Sequence, residues 1–309
     1  MFAGAPGALI HSFLTRARYS VNPRLAMPAT KTHRWAICAV FSVATVGVSL
    51  LAPPAARAGD PFEIQVYDGT ANAPGIPSLE LHLNDWATGN RGSTPPEVPL
   101  HGQFHTTLEP SLGMTPFWEL GAYVQGAVRT DEGVVDWAGV KFRSKFVTPP
   151  GWNQHWRLGV NLEVSYLPTV YDLANWSGEI RPVVAWQDPK WLFAVNPIFD
   201  QGFASSSLSD GPVPAPAAKV ARTMGPIALG FEYYATLGPV GGLLPWRKQS
   251  QQLFEVIDLL SLEYFELNFG LGEGLTAASQ GIVAKVIVGF TWEKEDAQTA
   301  IARSPRARL

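Results

Sequence analysis

The sequence is poor in cysteine, in acidic residues near its start, and in long apolar runs after residue 58. Cys38 is the single cysteine of the 309 residues, so the chain beyond it can form no disulfide bond and no thiolate metal site. None of the 26 Asp and Glu residues precedes Asp60, whereas six of the 23 Lys and Arg residues do. After residue 58 no apolar run reaches the ~20 residues of a membrane-spanning helix. An exported chain of this kind depends on burial, or on insertion into a membrane through strands.

Several classes of function are disfavoured by what is missing. The acidic balance after residue 58 argues against nucleic-acid binding. The sequence has no Gly-x-Ser-x-Gly, no His-Glu-x-x-His, and no phosphate or calcium loop. His101 and His105 would lie about 13 Å apart on a strand, which is too far for one metal ion. We therefore predict no catalytic residues, no metal and no cofactor.

The first 58 residues are predicted to be an N-terminal extension followed by an export signal. An apolar run over residues 35–52 follows basic side chains and leads to Ala56-Arg57-Ala58, a small-x-small sequence. This pattern predicts a signal peptide cleaved between Ala58 and Gly59. A membrane-anchoring helix is the alternative, since the run approaches the ~20 residues that span a bilayer.

Polar and apolar residues alternate in most of the remaining segments, and a period of two is typical of β-strands whose faces meet different environments. One example places Arg157, Asn161, Glu163 and Ser165 on one face and Leu158, Val160, Leu162 and Val164 on the other. Charges of both signs occupy the polar faces, and the apolar faces end in Trp. This pattern predicts an all-β, antiparallel transmembrane barrel with a polar interior. A secreted or periplasmic β-sandwich that binds ligands through exposed Trp is the alternative.

The spacing of turn residues predicts about ten strands, at 78–87, 99–110, 116–130, 135–147, 154–166, 178–187, 190–201, 220–236, 251–270 and 280–292. The alternation changes phase between Asp258 and Tyr264, where a bulge or an extra hairpin is expected. The hairpin would give twelve strands. The barrel is thus predicted over 78–292, after an N-terminal segment at 59–77 that forms a plug or an edge contact. A polar tail follows at 293–309.

Barrels of the outer membrane keep their periplasmic turns short. With the first strand near Ser78, the outward loops are predicted at 88–98, 131–134, 167–177, 202–219 and 271–279. The inward turns are predicted at 111–115, 148–153, 188–189 and 237–250. The last of these is long for that side.

The polar faces supply the candidate lumen residues, which carry both signs on neighbouring strands. They are Glu119, Arg129, Lys141, Arg143, Lys145, Arg157, Glu163, Glu179, Arg181, Glu232, Glu266 and Lys285, with Glu80 and Glu109 beside them. They predict either a weakly selective polar passage or an interior filled by salt bridges. Trp118, Trp156, Trp186, Trp191 and Trp292 share the apolar phase next to inward turns or the last strand, which predicts one aromatic girdle.

Several stretches carry a resemblance to a known family, among them Thr107-Leu108-Glu109-Pro110, Gly178-Glu179-Ile180-Arg181-Pro182 and Trp191-Leu192-Phe193-Ala194-Val195-Asn196-Pro197. They resemble an uncharacterised family of Gram-negative outer-membrane β-barrels, loosely related to the transporter-like barrels associated with meta-cleavage phenol degradation. The resemblance implies an outer-membrane location and passage of small, often aromatic, compounds. Such barrels commonly end in an aromatic residue used for assembly, whereas here Trp292 is followed by the polar tail.

The sequence therefore predicts a non-enzymatic outer-membrane barrel that acts as a passive channel for small molecules. Its expected partners are outer-membrane lipid, the barrel-assembly machinery and small solutes. A lipid-modifying barrel enzyme is a further alternative, and it would need a histidine near a serine or glutamate at the membrane face. The pattern names no solute and no oligomeric state.

Overall fold

The computed structural model describes residues 59–262 and 264–292. The predicted export signal, the cleavage site at Ala58 and the polar tail at 293–309 lie outside the described residues. The strands are β1 (Pro77–Trp86), β2 (Gln103–Thr115), β3 (Trp118–Arg129), β4 (Val134–Val147), β5 (Trp156–Tyr166), β6 (Trp176–Gln187), β7 (Trp191–Asn196), β8 (Phe199–Gly202), β9 (Val213–Pro214), β10 (Ala217–Met224), β11 (Ile227–Thr236), β12 (Ser250–Leu259), β13 (Phe265–Gly274) and β14 (Ile282–Thr291). A short helix, α1, spans Ser205–Asp210, and a 3₁₀ turn spans Trp246–Lys248.

These strands form one antiparallel sheet that closes on itself. The last strand pairs with the first, from Ser78 opposite Thr291 to Asp85 opposite Ala284. Strand β8 continues β7 beyond residues 197–198, and β10 continues β9 beyond residues 215–216, so the fourteen segments form twelve barrel strands. A sandwich has two separate sheets with free edges. Closure therefore excludes the sandwich and confirms the predicted antiparallel barrel.

Twelve strands, the alternative count, is confirmed, and the first estimate of ten is wrong. The segment predicted as one strand at 220–236 is the hairpin β10–β11, which turns at Gly225 with φ of +66°. The segment at 251–270 is the hairpin β12–β13, which turns at 260–264. Each overlooked turn reverses the chain direction. The predicted inward turn at 237–250 consequently lies at the opposite end of the barrel from the other inward turns.

The two ends of the barrel differ in the length of their connections. We call the end where β1 begins the near end, and the opposite one the far end. Near-end turns cover 116–117, 148–155, 188–190, 225–226 and 260–264, and far-end connections cover 87–102, 130–133, 167–175, 203–212, 237–249 and 275–281. The turn predicted at 111–115 is wrong, because β2 continues to Thr115. The remaining asymmetry, with the shorter connections at the near end, follows the pattern predicted from the sequence.

The outer face of the barrel is apolar and ends in aromatic residues. Val124, Phe142 and Ile180 are examples of exposed apolar side chains along the strands. Trp118, Trp156, Trp186, Trp191 and Trp292 all lie at the near end, where β3, β5, β6, β7 and β14 begin or finish. A second aromatic group at the far end was not predicted. There Tyr166 stacks on Trp137 at 6.0 Å and contacts Trp176 at 5.1 Å between ring centroids.

The inner face carries the polar set. His105, Thr107 and Asn196 are fully buried although they are polar. Burial of so many polar side chains requires hydrogen-bond partners inside the barrel. Among the described residues, no helix is long and apolar enough to cross a membrane.

Candidate functional site

The interior of the barrel is occupied by residues 59–76, which we call the lumenal segment. At the far end the Gly59 N–H donates to Thr236 Oγ1 at 2.8 Å, and towards the near end the Gly75 N–H donates to the Gly113 carbonyl at 2.7 Å. The segment therefore runs the length of the lumen before β1 begins. It forms no strand, yet Phe62, Glu63 and Ile64 are at most 5% exposed.

Apolar side chains of the lumenal segment pack against different sectors of the wall. The Phe62 ring stacks on His105, with centroids 4.1 Å apart and planes 9° apart, and meets Tyr171 edge-on at 5.7 Å. Ile64 packs in one cluster with Trp86, Phe254 and Val283. Val66 packs in another with small side chains that include Ala194 and Ala217. Apolar and polar side chains alternate along residues 62–67, and the apolar ones thus pack against apolar patches of a wall that is otherwise polar.

Glu63 is the buried carboxylate at the centre of the lumenal segment. Its Oε2 lies 3.2 Å from Lys141 Nζ, and its Oε1 lies 3.2 Å from Arg181 Nη1. Oε1 also accepts a hydrogen bond of 2.8 Å from the Tyr67 hydroxyl. Both carboxylate oxygens therefore have charged donors, which is the condition for keeping a buried carboxylate ionised.

Tyr67 follows Glu63 by four residues and is held by the same wall. Its hydroxyl accepts from Arg143 Nη1 at 3.1 Å and lies 2.9 Å from the Tyr123 hydroxyl. Since the Tyr67 proton goes to Glu63, Tyr123 acts as the donor in that second bond. The Arg181 guanidinium lies 4.5 Å from the Tyr67 ring centroid, a distance typical of cation–π contacts. Asn196 brackets the Tyr67 backbone with two bonds, at 2.7 and 2.9 Å.

Two lysines of the wall also bind the lumenal segment. Lys141 pairs with Asp60 and Glu63 of the segment and, at 2.7 Å, with Glu163 of the wall. Lys285 is 1% exposed, pairs with Glu232, and donates to the Ile64 carbonyl at 2.9 Å. Two sectors of the wall, four strands apart, thus bind the segment through ammonium groups.

At the near end, the segment leaves the lumen along β2 and β3. The Asn72 N–H donates to Glu119 Oε2 at 2.6 Å, and the Asn72 side chain donates to Ser78 and Ser111 at 2.8 and 2.9 Å. A Cβ atom at Gly113 would lie only 2.2 Å from the Ala73 carbonyl oxygen. The absence of a side chain at Gly113 therefore makes room for the exit.

The predicted lumen residues fall into three groups. Eight are buried inside the barrel: Glu119, Lys141, Arg143, Glu163, Glu179, Arg181, Glu232 and Lys285. Arg129, Lys145 and Arg157 have side chains that are 21%, 12% and 17% exposed, and Arg129 lies at the far rim. Glu266 is exposed and lies close to the near end. It pairs with Gly289 of β14, which in turn pairs with Glu80 of β1. The prediction placed all twelve on the lumen wall without distinguishing rim from interior.

Wall charges pair with one another across neighbouring strands. Arg143 Nη2 lies 2.8 Å from Glu109 and 2.7 Å from Glu119, and Arg181 pairs with Glu179. Interleaving of signs was predicted from the sequence. The wall pairs alone do not fill the interior, because the lumenal segment takes up the space between them.

A histidine–carboxylate group in the wall was missed from the sequence. His82 Nε2 lies 3.2 Å from Glu109 and 3.5 Å from Glu80, and one ligand atom from each residue falls within 4.8 Å of the others. Gln65 of the lumenal segment donates to Glu80 at 3.2 Å, and Arg143 binds Glu109. The group arises because Glu80 and Glu109 are direct partners in the β1–β2 register, which the sequence pattern does not give.

Beside the segment there is a cavity of about 30 Å³, lined by Gly59, Arg181, Glu179, Asp200 and Tyr234 among others. A space of this size holds a water molecule or two. It lies on the side of the lumen where the wall residues Ala215 and Ala235 are small.

Two far-end connections meet over the lumen. The Val98 N–H donates to the Val170 carbonyl at 3.0 Å, which joins the 87–102 and 167–175 connections. Tyr171 donates to Asp136 at 2.9 Å. Burial, and after it this hydrogen bond, raises the pKa of the Tyr171 phenol above its usual range. The phenol therefore stays protonated, and its ring keeps its edge contact with Phe62.

Comparison with solved structures identifies similar folds. An outer membrane channel from Pseudomonas putida F1 matches 74% of this chain and 100% of its own length, with 10% identity and a TM-score of 0.50. The KdgM porin matches 70% of this chain and 99% of its own, with 9% identity and a TM-score of 0.47. Outer membrane phospholipase A from Escherichia coli matches 74% of this chain and 98% of its own, with 12% identity and a TM-score of 0.40. The similarity to the Pseudomonas putida F1 channel supports the barrel fold of this chain. No protein-family model and no curated protein matches the sequence.

Proposed function

We propose that this protein is a passive outer-membrane channel for small molecules and that the lumenal segment closes it. The observation that carries the proposal is the occupant of the lumen. Residues 59–76 are not part of the wall, and they are held by ion pairs and hydrogen bonds rather than by strand pairing. A segment held in this way can leave without breaking the barrel.

The outer surface supports placement in a membrane. An apolar band along the strands is flanked by aromatic residues at both ends, as expected where strands cross a bilayer. The likeness in fold to an outer membrane channel of Pseudomonas putida F1 supports the outer membrane as the location. Outer-membrane lipid and the barrel-assembly machinery are the partners that this proposal requires.

A non-catalytic role is part of the proposal. A lipid-modifying enzyme of the barrel type would need its histidine at the membrane-facing surface. His82, which has carboxylates beside it, is fully buried on the lumen side. We also propose that the solutes include small aromatic compounds, as the resemblance to barrels of phenol degradation implies.

Planar-bilayer conductance with a reversible lock tests the channel. Val66 and Ala217 belong to one packed cluster in the lumen, so the double variant Val66→Cys/Ala217→Cys puts one thiol on the segment and one on the wall within that cluster, and loss of free thiols on oxidation shows that the disulfide has formed. Because the only native cysteine is Cys38, no other thiol follows residue 58. We expect the wild type and the reduced variant to show conductance steps when the segment leaves, and the oxidised variant to be silent.

The two single-cysteine variants are the matched controls, and oxidation should not change their conductance. Steps that persist unchanged in the oxidised double variant would show that the segment does not close the barrel. If the wild type, the reduced double variant and Phe62→Ala, which loses the stack on His105, are all silent, the protein is not a channel.

A further inference from the structure

Lys141 and Arg181 leave hydrogen-bond donors without acceptors whenever the lumenal segment moves out. A lysine ammonium has three donors, and here they meet Asp60, Glu63 and Glu163. Only Glu163 belongs to the wall, so departure of the segment frees two of the three. Arg181 keeps Glu179 through Nε and Nη2 but loses the acceptors of Nη1, which are Glu63 Oε1 and the Gln65 carbonyl.

The donors are buried while the segment is in place, and they stay fixed in position when it leaves. In the closed state Lys141 is 4% exposed and Arg181 is 2% exposed. Glu163 and Glu179 hold the two side chains from strands of the wall, so their positions do not depend on the segment. When the segment leaves, water takes its place, and an anion binds there when its charge-assisted hydrogen bonds to the two fixed cations outweigh those of that water.

The shape of the vacated space is that of one carboxylate. Glu63 places one oxygen at 3.2 Å from Lys141 Nζ and the other at 3.2 Å from Arg181 Nη1. The neighbouring wall carboxylates Glu163 and Glu179 keep the local positive charge low, which favours a monoanion over a phosphate dianion.

We propose that Lys141 and Arg181 form a binding site for small monocarboxylates in the lumen, and that Glu63 occupies it as an internal ligand in the closed state. The inference rests on the proposed channel for its biological role, whereas the site itself does not require conduction. A solute carboxylate would compete with Glu63, and its binding would favour release of the segment.

The test is chemical rescue of the full-length Glu63→Ala variant in detergent. The variant removes the carboxylate and leaves a space between the two cations. We expect the temperature at which the folded form is lost on gels to fall relative to the wild type. Sodium acetate should restore most of that shift in a saturable manner, whereas acetamide, which has the same shape but is neutral, should not. Sodium chloride at equal ionic strength should not restore it either.

Two further variants serve as controls. Glu63→Gln keeps the side-chain volume and leaves no space, so acetate should not raise its stability. Asp68→Ala removes a carboxylate that pairs with Arg157 near the rim, where it is 32% exposed, and acetate should have no effect there. Equal effects of acetate and acetamide on Glu63→Ala, or equal rescue of Glu63→Gln by acetate, would overturn the site.

Failure of Glu63→Ala to fold is itself informative. Refolding from urea would then be compared with acetate and with acetamide present, and recovery of the heat-sensitive folded band only with acetate would support the site. Recovery with neither compound, or equally with both, would overturn it. Because gel stability does not depend on conductance, a rescued but silent protein would contradict the channel and leave the site standing.

Discussion

Single residues decide how closely the lumenal segment approaches the wall, and Gly113 is the clearest case. A Cβ atom there would lie 2.2 Å from the Ala73 carbonyl oxygen and 2.4 Å from that of Asn72. Both neighbours are backbone atoms, which cannot rotate away as a side chain can. The backbone of Gly113 also exchanges hydrogen bonds with the segment, donating to Ile76 and accepting from Gly75.

We predict that Gly113→Ala shifts the near end of the lumenal segment and raises the open probability of the channel. The added methyl group should also lower the free energy of unfolding by about 1–3 kcal/mol, the usual cost of overpacking. Conductance recordings and urea titrations in detergent measure the two effects. Gly242→Ala is the matched control, because its Cβ would meet nothing within 4 Å. Identical behaviour of the two variants would contradict the role of this contact.

At the scale of the elements, the turn at Gly225 sets the strand count. Met224 and Ile227 are direct partners across a two-residue turn, and Gly225 has φ of +66°. A residue with a side chain adopts this conformation at a cost of about 1–2 kcal/mol. The turn also determines that the connection at 237–249 falls at the far end.

We predict that Gly225→Ala destabilises the β10–β11 hairpin and lowers the free energy of unfolding by about 1–2 kcal/mol. Urea unfolding followed by tryptophan fluorescence checks the value. Since the turn lies outside the lumen, single-channel conductance should stay at the wild-type level. A change in conductance without a change in stability would contradict this assignment.

The alternation of polar and apolar residues predicted the strands and most of the inward-facing charges, but it could not predict every turn. Gly225-Pro226 is a turn signal that the predicted strand at 220–236 ran through, because apolar residues alternate with polar ones on both sides of it. The turn at 260–264 has neither Gly nor Pro, and only the phase change after Asp258 marked it. The Glu80–Glu109 pairing and the path of the lumenal segment depend on register and long-range contacts, which a single sequence does not encode as a period.

The whole molecule depends on the seam between β1 and β14. Eight residue pairs join these strands, from Ser78–Thr291 to Asp85–Ala284. A closed ladder leaves no free edge, so detergent has no strand from which to begin unravelling the fold.

We predict that the membrane-extracted protein migrates differently on detergent gels before and after boiling. Val288→Pro is the control: it removes the backbone N–H of a residue that pairs with Leu81 across the seam, so it should weaken closure and abolish the heat-sensitive form. A wild-type protein that stays soluble without detergent and shows no shift would contradict the membrane barrel.

The seam also sets an order of events during assembly. The lumenal segment is joined directly to β1, and β1 meets its second neighbour only when β14, the last strand that the structure describes, is in place. Once that happens the segment is enclosed along its length, from Gly59 near Thr236 to Gly75 near Gly113. The lumenal segment therefore enters the lumen most easily before β1 and β14 pair. Variants that weaken the contacts of Glu63 or Tyr67 with the wall should then slow the pairing of β1 with β14 and also destabilise the folded protein.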